Sequence, residues 1–104
     1  MQFINLTSHT INEIITGLAI PPSGRVARVK ASTIKSAEHA GVPIYSSTFG
    51  DVEGLPEPKP DVIYIVSALA LNAVPTNRTD VVSPGSLQRN EHNQPIGCCG
   101  FRRL

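Results

Sequence analysis

Two short polar clusters carry most of the chemistry this sequence offers. Thr7-Ser8-His9-Thr10 follows an apolar run at Phe3–Leu6, and Ser67 follows the stretch Val62-Ile63-Tyr64-Ile65-Val66. Hydroxyls and an imidazole at the ends of strands suit a phosphate or carboxylate. A histidine titrating near neutrality can also act as general acid or base. Arg78, Thr79, Asp80 and Arg89 complete the candidates; the guanidinium fork matches phosphate with several donors at once. Each residue also has a structural reading. Ser67 can be a helix cap, Asp80 an ion-pair partner for a nearby arginine, and His9 a strand-end histidine bonded to backbone. His39 and His92 stand in polar segments and read as solvated surface.

The familiar catalytic signatures do not occur. There is no Gly-x-Ser-x-Gly elbow, no Walker loop and no Gly-x-Gly-x-x-Gly turn. Three scattered histidines without paired carboxylates or thiolates do not make a metal site, so no metal and no cofactor are expected. Cys98 and Cys99 are adjacent, a spacing that strains a disulfide, and they read as small thiols buried near the C-terminus. Gly97-Cys98-Cys99-Gly100, with Arg102 and Arg103 beside it, is either a backbone cradle for an anion or a tight turn in a final hairpin.

The elements that must position these residues are short, because nine prolines and eight glycines punctuate 104 residues. Residues 2–6 read as a first strand and Ile11–Ile15 as a second. Pro21-Pro22-Ser23-Gly24 predicts a tight reversal. The alternation in Arg25–Ala31 places Ala27, Val29 and Ala31 on one face of a half-buried strand. Residues 32–41 suggest a helical turn ending at Gly41, and 42–49 further extended chain. Pro56, Pro58 and Pro60 make a rigid connector. Val62–Val66, apolar throughout, predicts a central strand covered on both faces. Ser67 is a good N-cap for a helix over Ala68–Ala73, which Pro75 closes. Asp80-Val81-Val82 is then a strand stopped by Ser83-Pro84-Gly85, reached through a crossover that would set it parallel to the strand before the helix. A turn around Asn90–Gln94 and a short strand near Ile96 end the chain. The expected fold is one α+β domain over residues 1–104: a mixed sheet with one or two short helices, with a mostly-β small barrel as the alternative. If the first strand and the one ending at Val66 are parallel neighbours, His9 and Ser67 share a sheet edge of the kind where α/β proteins bind ligands. Free N–H groups after Ser67 would then favour an anion.

Composition narrows the partners. Net charge is +1 from nine basic and eight acidic residues, which is no bulk nucleic-acid footprint. Arg25, Arg28, Lys30 and Lys35 nevertheless cluster without an acid among them, a pattern that fits either a basic face or alternating solvated positions. There is no secretory signal and no apolar stretch of membrane-spanning length, so a cytoplasmic location and no membrane partner are expected. So small a core invites a homo-oligomer.

Several segments together resemble small proteins encoded by phages, prophages and actinobacteria. They are Phe3–Thr7 with His9, Ile20–Gly24, Phe49–Val52 before Gly54-Leu55-Pro56, Ile63–Ser67, Arg78–Val82, Pro84-Gly85 and Ile96-Gly97-Cys98. The resemblance shifts the expectation towards a phage-type binding protein for a small anionic ligand, such as a nucleotide-derived signal of host defence; the contacts expected from their own positions in the sequence are Thr7, Ser8, His9, Ser67 and Arg78 or Arg89. One alternative is a metal-independent, phosphodiesterase-like enzyme acting on such a nucleotide. There His9 would be acid or base and Arg78 would stabilise phosphoryl charge. Another is a protein-interaction module recognised by an exposed apolar or edge-strand surface.

Overall fold

The computed structural model describes residues 2–104. Eight strands and one helix follow in the order β1 (Gln2–Asn5), β2 (Ile11–Glu13), β3 (Leu18–Ile20), β4 (Arg28–His39), β5 (Val42–Glu53), β6 (Val62–Ile65), α1 (Ala68–Ala73), β7 (Val81–Arg89) and β8 (Pro95–Arg102). Six strands form one mixed sheet in the order β1-β6-β7-β8-β2-β3, and β4 and β5 pair only with each other. The two sheet edges approach: Asn5 Nδ2 donates to the Ile20 carbonyl at 2.9 Å, and the Ser23 N–H to the Asn5 carbonyl at 3.0 Å. The sheet therefore nearly closes on itself, a mostly-strand, barrel-like form of the expected mixed sheet with a single short helix.

β6 is the hub. It lies between β1 and β7 and is parallel to both, with Gln2 opposite Val62 and Tyr64 opposite Val81. Its side chains alternate between two cores, as its unbroken apolar composition requires. Tyr64 and Val66 pack with Leu6, Leu71 and Val81 beneath α1, while Ile65 packs with Ile11, Ile20, Val82 and Cys98 on the other face. Phe3 and Phe101 extend the second core, with ring centroids 5.3 Å apart. The helix begins where the sequence places it. Ser67 Oγ accepts the Ala70 N–H at 3.2 Å.

Three expectations are corrected. Residues 32–41 are not a helical turn: β4 runs through Arg28–His39 and meets β5 at a reversal where Ala40 and Gly41 both have positive φ (50° and 80°). Those values are those of a two-residue hairpin turn, and the strand partners His39 and Val42 flank it. The local composition could not announce this, because the pairing β5 supplies overrides a weak helical preference. Next, Ser83-Pro84-Gly85 does not stop β7, which continues to Arg89. Asp80 and Val82 direct their carbonyls to β6. By alternation Pro84 faces the same side, beyond the end of β6, where no ladder bond is lost. Gly85 is needed because a Cβ there would stand 2.6 Å from the Cys99 carbonyl oxygen. Last, Pro21–Gly24 makes no simple hairpin. Gly24 has φ 97°, but the segment passes alongside the end of β1, with Ala27 donating to the Leu6 carbonyl at 3.0 Å.

Candidate functional site

The strand ends create a step. β1 stops at Asn5 and β6 at Ile65, while β7 and β8 run on together as a hairpin. Above the shorter strands lies an open hollow of about 690 Å³, within the usual range for small-molecule sites. Its walls are the loop Leu6–His9, the segment Val26–Val29 at the root of β4, the start of α1 at Ser67–Leu69, Pro84, Gly85 and Leu87 of β7, and Arg102 of β8. A smaller hollow of about 190 Å³ shares His9, Ile11, Pro84 and Leu87 with the first. His9 stands between the two.

One buried amide shapes the loop that carries His9. Asn5, only 1% exposed, donates through Nδ2 to the His9 and Ile20 carbonyls, both at 2.9 Å. Its Oδ1 accepts the Thr7 N–H at 2.9 Å and the Thr7 hydroxyl at 2.6 Å. Every polar group of the amide is thereby satisfied, and the chain is folded back so that His9 and Ser8 face the hollow. Asn5 was not among the expected site residues. Its signal was a polar residue ending an apolar strand with threonine two positions on, the spacing at which an asparagine side chain caps its own turn.

The expected site residues separate into two groups. Thr7, Ser8, His9 and Ser67 come together at the hollow, because β1 and β6 are parallel neighbours. Thr7 is buried and its hydroxyl proton is engaged by Asn5 and the His9 carbonyl, so it positions the loop. Ser67 keeps a free proton while its oxygen caps α1. That cap takes one of the N–H groups expected to meet an anion, and the helix has only six residues. Arg78, Thr79 and Asp80 are not at the hollow. They precede the start of β7, at the opposite edge of the sheet. The Arg78 guanidinium there binds Asp80 through two contacts of 2.9 and 3.0 Å and the Pro56 carbonyl at 2.9 Å. The hydrogen bonds from Arg78 hold the Asp80 carboxyl below its ordinary range, and the same pairing raises the arginine. This is the ion-pair reading of Asp80. Arg89 lies at the far tip of the β7–β8 hairpin, donating to the Asn93 carbonyl.

The cations at the hollow are instead Arg28 and Arg102, both with exposed side chains, and no aspartate or glutamate lines it. Arg28 belonged to the acid-free basic stretch of the sequence, but nothing local showed that the root of β4 would reach the ends of β1 and β6. Gly97–Gly100 lies within β8 and is neither a terminal turn nor an open cradle. The anion it meets is the protein's own. Gly100 N–H approaches Glu13 Oε2 at 3.4 Å, and the same carboxylate accepts Ile15 N–H, Thr16 N–H and the Thr16 hydroxyl. Burial pushes the Glu13 carboxyl up, but the backbone donors of Thr16, Ile15 and Gly100 outweigh it and leave it below the ordinary value. Cys98 and Cys99 form no disulfide. Burial pushes the Cys98 thiol up, which keeps it protonated and unreactive. No helix among the described residues is long and apolar enough to cross a membrane. No protein-family model matches this chain, and no curated protein and no solved structure matches it.

Proposed function

We propose that this chain is a binding protein for a small anionic ligand of nucleotide size, held in the hollow above β1 and β6. The observation that carries the reading is the charge of the lining: Arg28 and Arg102 line one concavity, with the His9 ring beside them and no carboxylate among the lining residues. Two guanidiniums on a lining that holds no carboxylate attract phosphate and repel cations, although Glu53 stands opposite Arg28 in the β4–β5 ladder and offsets part of its charge. Between them the walls are apolar, through Leu6, Val26, Val29, Leu69 and Leu87, a surface suited to a base or other flat, uncharged moiety. Ser8 and the free proton of Ser67 add uncharged donors. The resemblance to phage-encoded proteins favours one class within this reading, nucleotide-derived signals of host defence.

Titration calorimetry with a panel of mono-, di- and cyclic nucleotides, with inorganic phosphate as control, tests it. At least one nucleotide should bind more tightly than phosphate and be recovered unchanged. Arg28→Ala and Arg102→Ala should each weaken it roughly 10- to 100-fold, the loss of a charge-assisted contact of about 1.5–3 kcal/mol. No binding across the panel, or binding indifferent to both substitutions, refutes the reading. A chemically altered nucleotide on recovery replaces the binder with an enzyme.

A further inference from the structure

The β4–β5 ribbon has no packing partner for most of its length. Each strand has twelve residues, a reach of about 40 Å, and all side chains from Lys30 to Asp51 are exposed. The protrusion shows in the Cα radius of gyration, 16.4 Å, where a compact chain of this length has about 13 Å. A two-stranded hairpin alone in water is marginal, yet this one presents large apolar side chains on both faces. Tyr45 and Phe49 share one face, 62% and 54% exposed; Ile34, Val42 and Ile44 share the other, at 58%, 61% and 46%.

We infer that the ribbon packs, through both faces, against a second copy of this chain. The inference does not depend on the proposed ligand. Three features select an identical partner. The five large side chains leave on the order of 600 Å² exposed over the two faces together, about half on each, so a partner must cover both faces to approach the roughly 800 Å² per partner that a stable interface needs. The ribbon's charges cancel, with Lys30 and Lys35 against Glu38 and Asp51, so it offers no single-signed field to a nucleic acid or an anionic surface and does not repel its own copy. Its edges are guarded by Pro43 and by two irregularities of register, at Val29/Ala31 and Lys35/Ala37, which disfavour open-ended strand addition. Contact through faces in a closed two-fold pair covers both ribbons at once. Because Val26–Val29 at the ribbon's root also forms a wall of the hollow, a copy seated on the ribbon stands beside the mouth of that hollow.

Analytical ultracentrifugation of the full chain at micromolar concentration, without ligand, tests this. The wild type should sediment as a dimer. Tyr45→Glu with Phe49→Glu, and separately Ile34→Glu with Ile44→Glu, should each raise the dimer dissociation constant at least tenfold while the chain still melts cooperatively, since these side chains contribute nothing to either core. Amide exchange in residues 30–51 should be slow in the dimer and fast in both variants. A monomeric wild type overturns the inference, as does a dimer insensitive to both double substitutions. Nucleotide binding by a wild-type monomer would uphold the ligand reading alone; a dimer binding no nucleotide would uphold this one alone.

Discussion

Asn5→Asp changes one atom of the amide that shapes the His9 loop. In the native protein Nδ2 donates to two carbonyls at 2.9 Å, and Oδ1 accepts twice from Thr7. The aspartate keeps both acceptor contacts and strengthens them. It also sets a carboxylate oxygen against the His9 and Ile20 carbonyls in a site that is 1% exposed. Two buried carbonyls stripped of their donors cost about 1–3 kcal/mol each, and the stranded charge adds to this. With roughly 1 kcal/mol returned by the Thr7 contacts, the expected loss is about 3–5 kcal/mol, a large share of the 5–15 kcal/mol typical of native domains. The penalty falls on the ionised form, so folding raises this carboxyl above its unfolded value, near 3.9. Stability of the variant relative to wild type is then greatest below the unfolded value and is lost as pH rises through the raised folded one. Urea melts followed by circular dichroism should show a midpoint about 2 M lower than wild type at pH 7.5, with a smaller gap at pH 5. Asn5→Leu, which carries no charge, should show a deficit independent of pH. An Asn5→Asp midpoint within about 0.5 M of wild type at pH 7.5, or a deficit equal at both pH values, refutes this account of the loop.

Two further outcomes follow from buried polar groups elsewhere. Glu13 is held below its ordinary range by backbone donors, so its contribution is present above the unfolded value, near 4.3, and fades as pH falls through the lower folded one. Glu13→Gln should be less stable than wild type at pH 7, and urea midpoints measured down to pH 3 should converge; parallel curves would refute the assignment. Ser83 Oγ is buried without a hydrogen-bond partner, and an unmatched hydroxyl is a liability. Ser83→Ala should leave the thermal midpoint unchanged or raise it by a few degrees, whereas a drop beyond about 5 °C, roughly 1 kcal/mol for a domain of this size, would show that the hydroxyl is bonded.

Much of the site's placement was legible because it rests on strong local patterns. The apolar run Val62–Val66, the Ser67 cap and the length of the segment to Val81 favour a parallel β6–β7 pair, whereas the parallel pairing of β1 with β6, which brings His9 to Ser67, was one arrangement the sequence allowed and the structure supplies. The cations were not legible. Arg78 stands two residues before Asp80 and is neutralised by it, a contact the spacing allowed but did not require. Arg28 and Arg102 reach the hollow only through the root of the ribbon and the second half of β7–β8. Both of those elements were obscured: the first by residues 32–41, which suggest a helical turn, the second by Ser83-Pro84-Gly85, which reads as a stop unless the neighbouring strand is known to end there.

Strand β8 pairs with β7 along most of its length and meets β2 where Cys98 stands opposite Glu13, while β1 finds its partner sixty positions downstream at β6. The three hairpins β2–β3, β4–β5 and β7–β8 can form as soon as they are synthesised, but joining them means closing loops that span most of the chain. Search of that kind is slow. β1 therefore waits, unpaired and apolar, until β6 has left the ribosome, and the β2–β3 hairpin waits longer still for β8; those moments are when the protein is most open to misassembly.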